Sequence, residues 1–204
     1  MRDEAVPFHV SRETMARLNA FTELLTKWTR RINLVAPTTV AMLWERHIRD
    51  SAQLVAHCPT SANTWTDLGT GGGLPGVVVA ILATELRPEL MVTCVESDHR
   101  KAAFLRAVSR ETGVKFDVLA ARAEAIAPLA ADVVSARALA PLPRLLELAV
   151  PHMADHGVGL FPKGARSVEE VAAARKLWRF DLQRITSKTD PTATILRLEN
   201  VARA

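Results

Sequence analysis

Apolar residues at Met15, Leu18, Phe21, Leu25, Trp28 and Ile32 recur in steps of three and four, which predicts one face of an amphipathic helix over Ser11–Ile32. A second helical stretch is expected after Pro37, with Val40, Leu43, Trp44, His47, Ser51, Leu54 and Val55 on a common side and Pro59 as its stop. Both precede any strand pattern, so residues 1–60 read as a helical extension or cap and residues 61–204 as the main domain. Past that point the period changes. Short apolar runs at Trp65–Leu68, Met91–Val95, Lys115–Leu119, Ala131–Ser135 and Gly157–Phe161 read as strands, with Leu182–Ile185 and Thr192–Leu198 as two more. Between them a helix is expected at Val77–Glu85. Another is capped by Asp98, carries Phe104, Leu105 and Val108, and ends at Gly113. Pro141–Met153 reads as a helix broken at Pro151, and Ser167 with Glu170 has capping-box spacing ahead of a helix containing Val171 and Trp178. Strands alternating with helices predict a doubly wound α/β fold, a Rossmann-like sheet of about seven mostly parallel strands covered on both faces.

Composition changes this picture little. With 49% hydrophobic and 24% charged residues in 204, the chain is expected to be an ordinary soluble globular protein. Its two cysteines, Cys58 and Cys94, have no metal-ligand spacing, and no leader-like apolar stretch opens the sequence, which together suit a reducing cytoplasm. The longest apolar run, near Val77–Ala83, falls far short of the roughly 20 residues of a spanning helix, so no membrane role is expected. A net charge of +4 and a pI near 9.5 favour a polyanionic partner only mildly.

Candidate chemistry concentrates in Asp67-Leu-Gly69-Thr-Gly71-Gly-Gly73-Leu-Pro75-Gly76, a glycine-rich turn between the first strand and its helix. In a doubly wound sheet that turn lies where ligands bind. Gly71, Gly73 and Gly76 satisfy G-x-G-x-x-G, and Glu96 follows about 20 residues on, as in dinucleotide folds. A dinucleotide, however, needs free N–H groups at the helix start for its pyrophosphate, and Pro75 removes one. That suits S-adenosylmethionine, with Asp67 attracting its ammonium or sulfonium and Glu96 accepting from both ribose hydroxyls. The alternatives are a turn cap for Asp67 and a solvated strand-end carboxylate for Glu96.

Several segments resemble the glucose-inhibited division protein B family, bacterial methyltransferases of guanine N7 in 16S ribosomal RNA. They are Trp28-x-x-x-Ile32-Asn33-Leu34-Val35, Trp44-Glu-Arg46-His47-Ile-Arg-Asp50-Ser51, the DLGTGGGLPG loop, Glu96-Ser97 with Arg100-Lys101, Ser135-Ala-Arg137-Ala138 and Lys163-Gly164. In combination they are specific. The resemblance implies a class I methyltransferase sheet, S-adenosylmethionine as methyl donor without a metal, and 16S rRNA or a precursor of the small subunit as partner, with a monomer expected. It further implies that Gly69 and Leu74 line the cofactor pocket with Gly71, that Ala123 and Glu124 contact the adenine end, and that Arg137 lies beside it.

Base methylation at pyrimidine carbon-5 needs a cysteine nucleophile, and neither Cys58 nor Cys94 is placed for that. Guanine N7 already carries a free lone pair, so no general base is required and Arg137 is left an orienting role. Basic residues of the extension, Lys27, Arg30, Arg31, Arg46 and Arg49, together with Asn33 and His47, are candidate RNA contacts, as are Lys163 and Arg166. Other readings stay open: a protein or small-molecule substrate on the same fold, a non-catalytic nucleotide-binding regulator, or an NAD-dependent oxidoreductase.

Overall fold

The computed structural model describes residues 7–204; the opening segment read for a leader lies partly outside these residues, at positions 1–6. Among the described residues one seven-stranded sheet runs in the order β3-β2-β1-β4-β5-β7-β6. Its strands are β1 (Thr64–Leu68), β2 (Met91–Val95), β3 (Asp117–Leu119), β4 (Ala131–Ser135), β5 (Met153–Lys163), β6 (Trp178–Thr186) and β7 (Thr194–Arg203). β1 to β5 pair in parallel, and β7 is inserted antiparallel between β5 and β6. The strand order reverses between β1 and β4, which opens a crevice at the carboxyl ends of those two strands.

Helix α1 (Arg12–Thr29) follows the predicted periodicity, capped by the Ser11 side chain on Thr14 N–H. Its inward residues Leu18, Phe21 and Leu25 are fully buried in one core with α3 (Gly76–Leu86) and α4 (His99–Thr112). That packing explains α3. Residues Val77–Ala83 are buried all round, because the sheet covers one side of the helix and α1 the other. α5 (Leu142–Ala149) and α6 (Ser167–Ala174) cover the opposite face over a second core.

Four local expectations need correction. The stretch after Pro37 is not one regular helix. It runs through a 3-10 segment (Pro37–Met42), a wide π turn (Trp44–Arg49), the short α2 (Asp50–Ala52) and a further 3-10 segment (Gln53–His57). Ser167 and Glu170 do not form a capping box. Arg166 is the cap residue, and the Glu170 carboxylate instead accepts from Leu142 N–H at 2.8 Å and Lys163 Nζ at 2.8 Å. α6 stops at Ala174, and Trp178 opens β6, with the Arg203 guanidinium 4.1 Å from its ring centroid. Finally, β5 starts at Met153 rather than Gly157. A register shift opposite Ala131/Val133 carries the polar Asp155–His156 through as a bulged strand.

Candidate active site

β1 turns through Gly69–Pro75 into α3, and Asp67 organises this turn from inside. Its Oδ2 accepts the Gly76 N–H at 2.9 Å and its Oδ1 accepts the Ser135 hydroxyl at 2.7 Å, while Ser135 Oγ accepts Trp65 Nε1–H at 2.8 Å. All three side chains are fully buried. Burial pushes the Asp67 carboxyl up to about 6, against hydrogen bonds that include those from Ser135 and Gly76. In this arrangement both carboxylate oxygens of Asp67 are engaged, one by the turn into α3 and one by β4. Pro75 has no N–H, so Gly76 carries the first backbone donor of α3, and a buried donor needs an acceptor. The first donor at the helix start is therefore occupied from within, by Asp67.

Gly69 has φ +63°, a backbone conformation that favours glycine, and the nearest atoms a Cβ would crowd belong to the flexible, exposed side chain of Leu139. Glu96, just past β2, is 7% exposed. Its Oε2 accepts Gly71 N–H at 2.9 Å and its Oε1 accepts Asp98 N–H at 2.8 Å, which ties the glycine loop to the start of α4. Beside it a cavity of about 260 Å³ is lined by Gly69, Val95, Ser97, Ala123, Glu124 and Leu139. Arg122 and Arg144 line it as well, so small residues and a glycine floor stand beside two guanidinium groups, with a strand-end carboxylate close by. Glu124 is half-exposed and pairs with Arg144 at 2.8 Å; the Ala123 carbonyl accepts from His152 Nε2 at 3.0 Å. Leu74 belongs to the core beneath the loop, and its N–H donates to Thr70 O at 3.0 Å.

Leu139 and Ala140 also wall a second cavity of about 520 Å³, which holds Arg137, Asp50, Lys163, Ser187 and Thr194. Arg137 does not reach the smaller cavity. It turns toward the extension: Nη1 donates to Asp50 Oδ2 and to Arg46 O, both at 3.3 Å, and Nη2 donates to His47 Nδ1 at 2.8 Å. Asp50 Oδ1 in turn accepts from Gln53 Nε2 at 2.9 Å and Thr189 Oγ1 at 2.8 Å, and Gln53 Oε1 accepts Lys188 N–H at 2.9 Å. The β6–β7 turn is thus laced to the extension across the mouth of the cleft. Asp50 and Ser51 stood in a quoted motif without a role, and the buried polarity of Ser51 and Gln53 only becomes visible in the fold. Ser187 and Thr189 carried no signal in sequence at all.

The candidate RNA contacts separate into two groups. Lys27, Arg30, Arg31, Asn33, Arg46 and Arg166 are exposed. The segment following α1 abuts the glycine loop, since a Cβ on Gly72 would lie 3.1 Å from Leu34 O, so Arg30, Arg31 and Asn33 stand at the cleft end of the molecule. Arg49 pairs with Glu45 at 2.6 Å. Lys163 is not a free cation: its side chain is 8% exposed, held by Glu170 and by the Ala140 carbonyl at 2.7 Å. His47 is half-buried against Arg137, and burial followed by the Arg137 charge lowers its pKa to about 4. Cys58 and Cys94 are both free thiols; Cys94 is fully buried, and burial together with Asp67 raises its pKa far above the usual range. Among the described residues no three His, Cys, Asp or Glu side chains are grouped as metal ligands would be, and no helix is long and apolar enough to cross a membrane.

The model of the GidB family, described as rRNA small subunit methyltransferase G, matches residues 14–195. A protein of Cereibacter sphaeroides named ribosomal RNA small subunit methyltransferase G is 49% identical over 193 residues, covering 95% of this chain and 94% of that one. One of the same name from Ruegeria pomeroyi is 46% identical over 203 residues, covering 100% and 99%. Among solved structures, an O-methyltransferase from Bacillus cereus in complex with SAH aligns with a TM-score of 0.58 at 12% identity over 97% of this chain and 94% of that one. M. jannaschii TYW2 in complex with AdoMet aligns at 0.56 and 13% identity, over 86% and 80%. These two likenesses carry the fold.

Proposed function

Because the chain belongs to the GidB family of rRNA small subunit methyltransferase G proteins, we propose that it transfers the methyl group of S-adenosylmethionine to N7 of a guanine in 16S ribosomal RNA. What supports this reading is the family match, which takes in both the glycine loop and the Arg46–Ser51 segment that close the cleft from its two sides. The two solved neighbours, named with AdoMet and SAH, support the choice of cofactor.

The smaller cavity would hold the adenosine. Ala123 and Glu124 stand at its adenine end, Gly69 and Gly71 admit the ligand against backbone, and Glu96 would exchange its bonds to Gly71 and Asp98 for ribose hydroxyls. When bound, S-adenosylmethionine supplies an electrophilic methyl on a sulfonium. The larger cavity, beyond Leu139, would take the acceptor base, with Arg137 on its wall to orient guanine. N7 has a lone pair ready for in-line attack, so positioning contributes most, and effective molarities can lower such barriers by about 7–11 kcal/mol. In an A-form helix N7 faces a narrow groove closed to side chains, so the acceptor is an unpaired or extruded guanine.

Incubating the protein with methyl-labelled S-adenosylmethionine and either deproteinised 16S rRNA or small subunits, followed by nucleoside mass spectrometry, tests this. The expected product is 7-methylguanosine with at most one methyl per rRNA. Label in protein, in another base position, or nowhere would overturn the proposal.

A further inference from the structure

We propose that His47 is the positioning residue that aims Arg137 into the acceptor cavity, acting as a neutral imidazole and not as a cationic RNA contact. The inference rests on the function proposed above, since Arg137 matters there as the orienting residue.

Hydrogen-bond chemistry determines where each proton sits. A guanidinium can only donate, so the 2.8 Å contact from Arg137 Nη2 makes His47 Nδ1 an acceptor. Nε2 must then carry the hydrogen, which it donates to Thr39 Oγ1 at 2.9 Å. Thr39 in turn donates to the Ala36 carbonyl at 2.8 Å. The relay Arg137–His47–Thr39–Ala36 has one direction, and it is anchored in the backbone of the 3-10 segment at its far end. Protonation of His47 would place a second donor against Arg137 and reverse the contact from attraction to repulsion.

Among the described residues four charged groups face the ring or its cavity. Arg46 lies on the same turn, Asp50 sits one turn on, Arg137 approaches from the end of β4, and Asp190 lines the same cavity of about 510 Å³ from the β6–β7 turn. Burial and Arg137 favour the neutral ring, and Asp50 opposes them. Asp50 and the Arg46 carbonyl bind the other guanidinium nitrogen, Nη1. Among the described residues His47 alone holds Nη2, so it sets the plane of the guanidinium, which decides whether a flat base can be met edge-on.

Two amide substitutions dissect the ring. In His47→Asn the side-chain oxygen reproduces the acceptor near Nδ1 and loses the Thr39 link. In His47→Gln the amide reaches the Nε2 position and loses the acceptor toward Arg137. Single-turnover methyl transfer to small subunits at saturating cofactor is expected to fall about ten- to a hundredfold for Gln and His47→Ala, and only about threefold for Asn. Cofactor affinity should stay within about twofold for all three, as expected when a lost group acts on the reacting geometry and not on ground-state binding. Wild-type RNA affinity should show no inflection at the ordinary histidine pKa of about 6.5. Thr39→Val, which leaves Nε2–H without its acceptor, should lower turnover in the same direction and serves if a His47 variant does not fold. Equal turnover of Asn and Gln, normal turnover of both, or an RNA-affinity inflection that disappears in His47→Asn would overturn the assignment. An inactive wild type would instead refute the proposed function.

Discussion

Replacing Asp67 by asparagine should change stability by an amount that depends on pH, in a direction opposite to the usual one for a carboxylate. Asp67 is fully buried, and its pKa is raised from 3.8 to about 6 by burial, partly offset by hydrogen bonds such as those from Ser135 and Gly76. A folded-state pKa above the unfolded value means that the folded protein binds the extra proton between these limits. The contribution is therefore fully present below the unfolded value and is lost as pH rises through about 6. A shift of about two units corresponds to about 3 kcal/mol, of which about 2 kcal/mol falls between about pH 4.5 and about pH 7.5. Asparagine does not titrate, and it points an N–H toward one of the two donors, losing a bond worth about 1.5–3 kcal/mol while relieving the buried charge. The substitution should thus be nearly neutral at about pH 7.5 and cost about 2 kcal/mol more at about pH 4.5. His47 and His57, whose pKa values are lowered, titrate in the opposite sense in both proteins and cancel in the difference. Urea unfolding of both proteins across a pH series measures it. A difference that is flat with pH, or that grows toward neutrality, would refute the account of Asp67 as a buried cap.

Gly69→Val should distort the loop and weaken cofactor binding by more than about a hundredfold in calorimetry, because a β-branched residue is strained at a φ of +63°. Glu96→Ala should weaken cofactor binding by about ten- to a hundredfold with little change in RNA affinity; unchanged binding in a folded protein would remove Glu96 from the site. Replacing both Cys58 and Cys94 by alanine should leave methyl transfer largely intact, whereas a folded, substrate-binding but inactive double variant would bring covalent catalysis back. Arg30→Ala, Arg31→Ala and Arg46→Ala should each lower the slope of log RNA affinity against log salt by about one unit or slightly less, and an undiminished slope would exclude these exposed arginines as phosphate contacts.

Periodicity and turn chemistry made much of the frame legible. The boundaries of β2 and β4 coincide with the runs Met91–Val95 and Ala131–Ser135, because central strands of a parallel sheet are mostly buried and read as short stretches dominated by apolar residues. Asp98 and Gly113 delimit α4 as expected, since capping is decided by the residues at the helix end themselves. Where side chains answered to distant partners, local rules failed. Ser167 and Glu170 have the spacing of a capping box, but Glu170 binds Lys163 and Leu142, which are neighbours only after β5 and α5 have packed. Lys163 was read as a phosphate contact because a lysine in isolation is a solvated cation, and it is that same packing which desolvates and pairs it.

The same boundary runs through the site. The sequence by itself determined where a ligand turn forms, through glycines whose positive φ is a local backbone property, and it carried the family resemblance in motifs such as RHIRDS and SARA. It left the role of Asp67 between ligand contact and cap, because that choice depends on which donors the fold buries around it. Only the tertiary structure decided that Asp67 belongs to Gly76 and Ser135, and that Arg137 is held by His47 and Asp50 across a separation of about 90 residues. Hydrogen bonds and charge pairing act over a few ångströms, so their partners are set by where the chain returns in space, which no local pattern encodes.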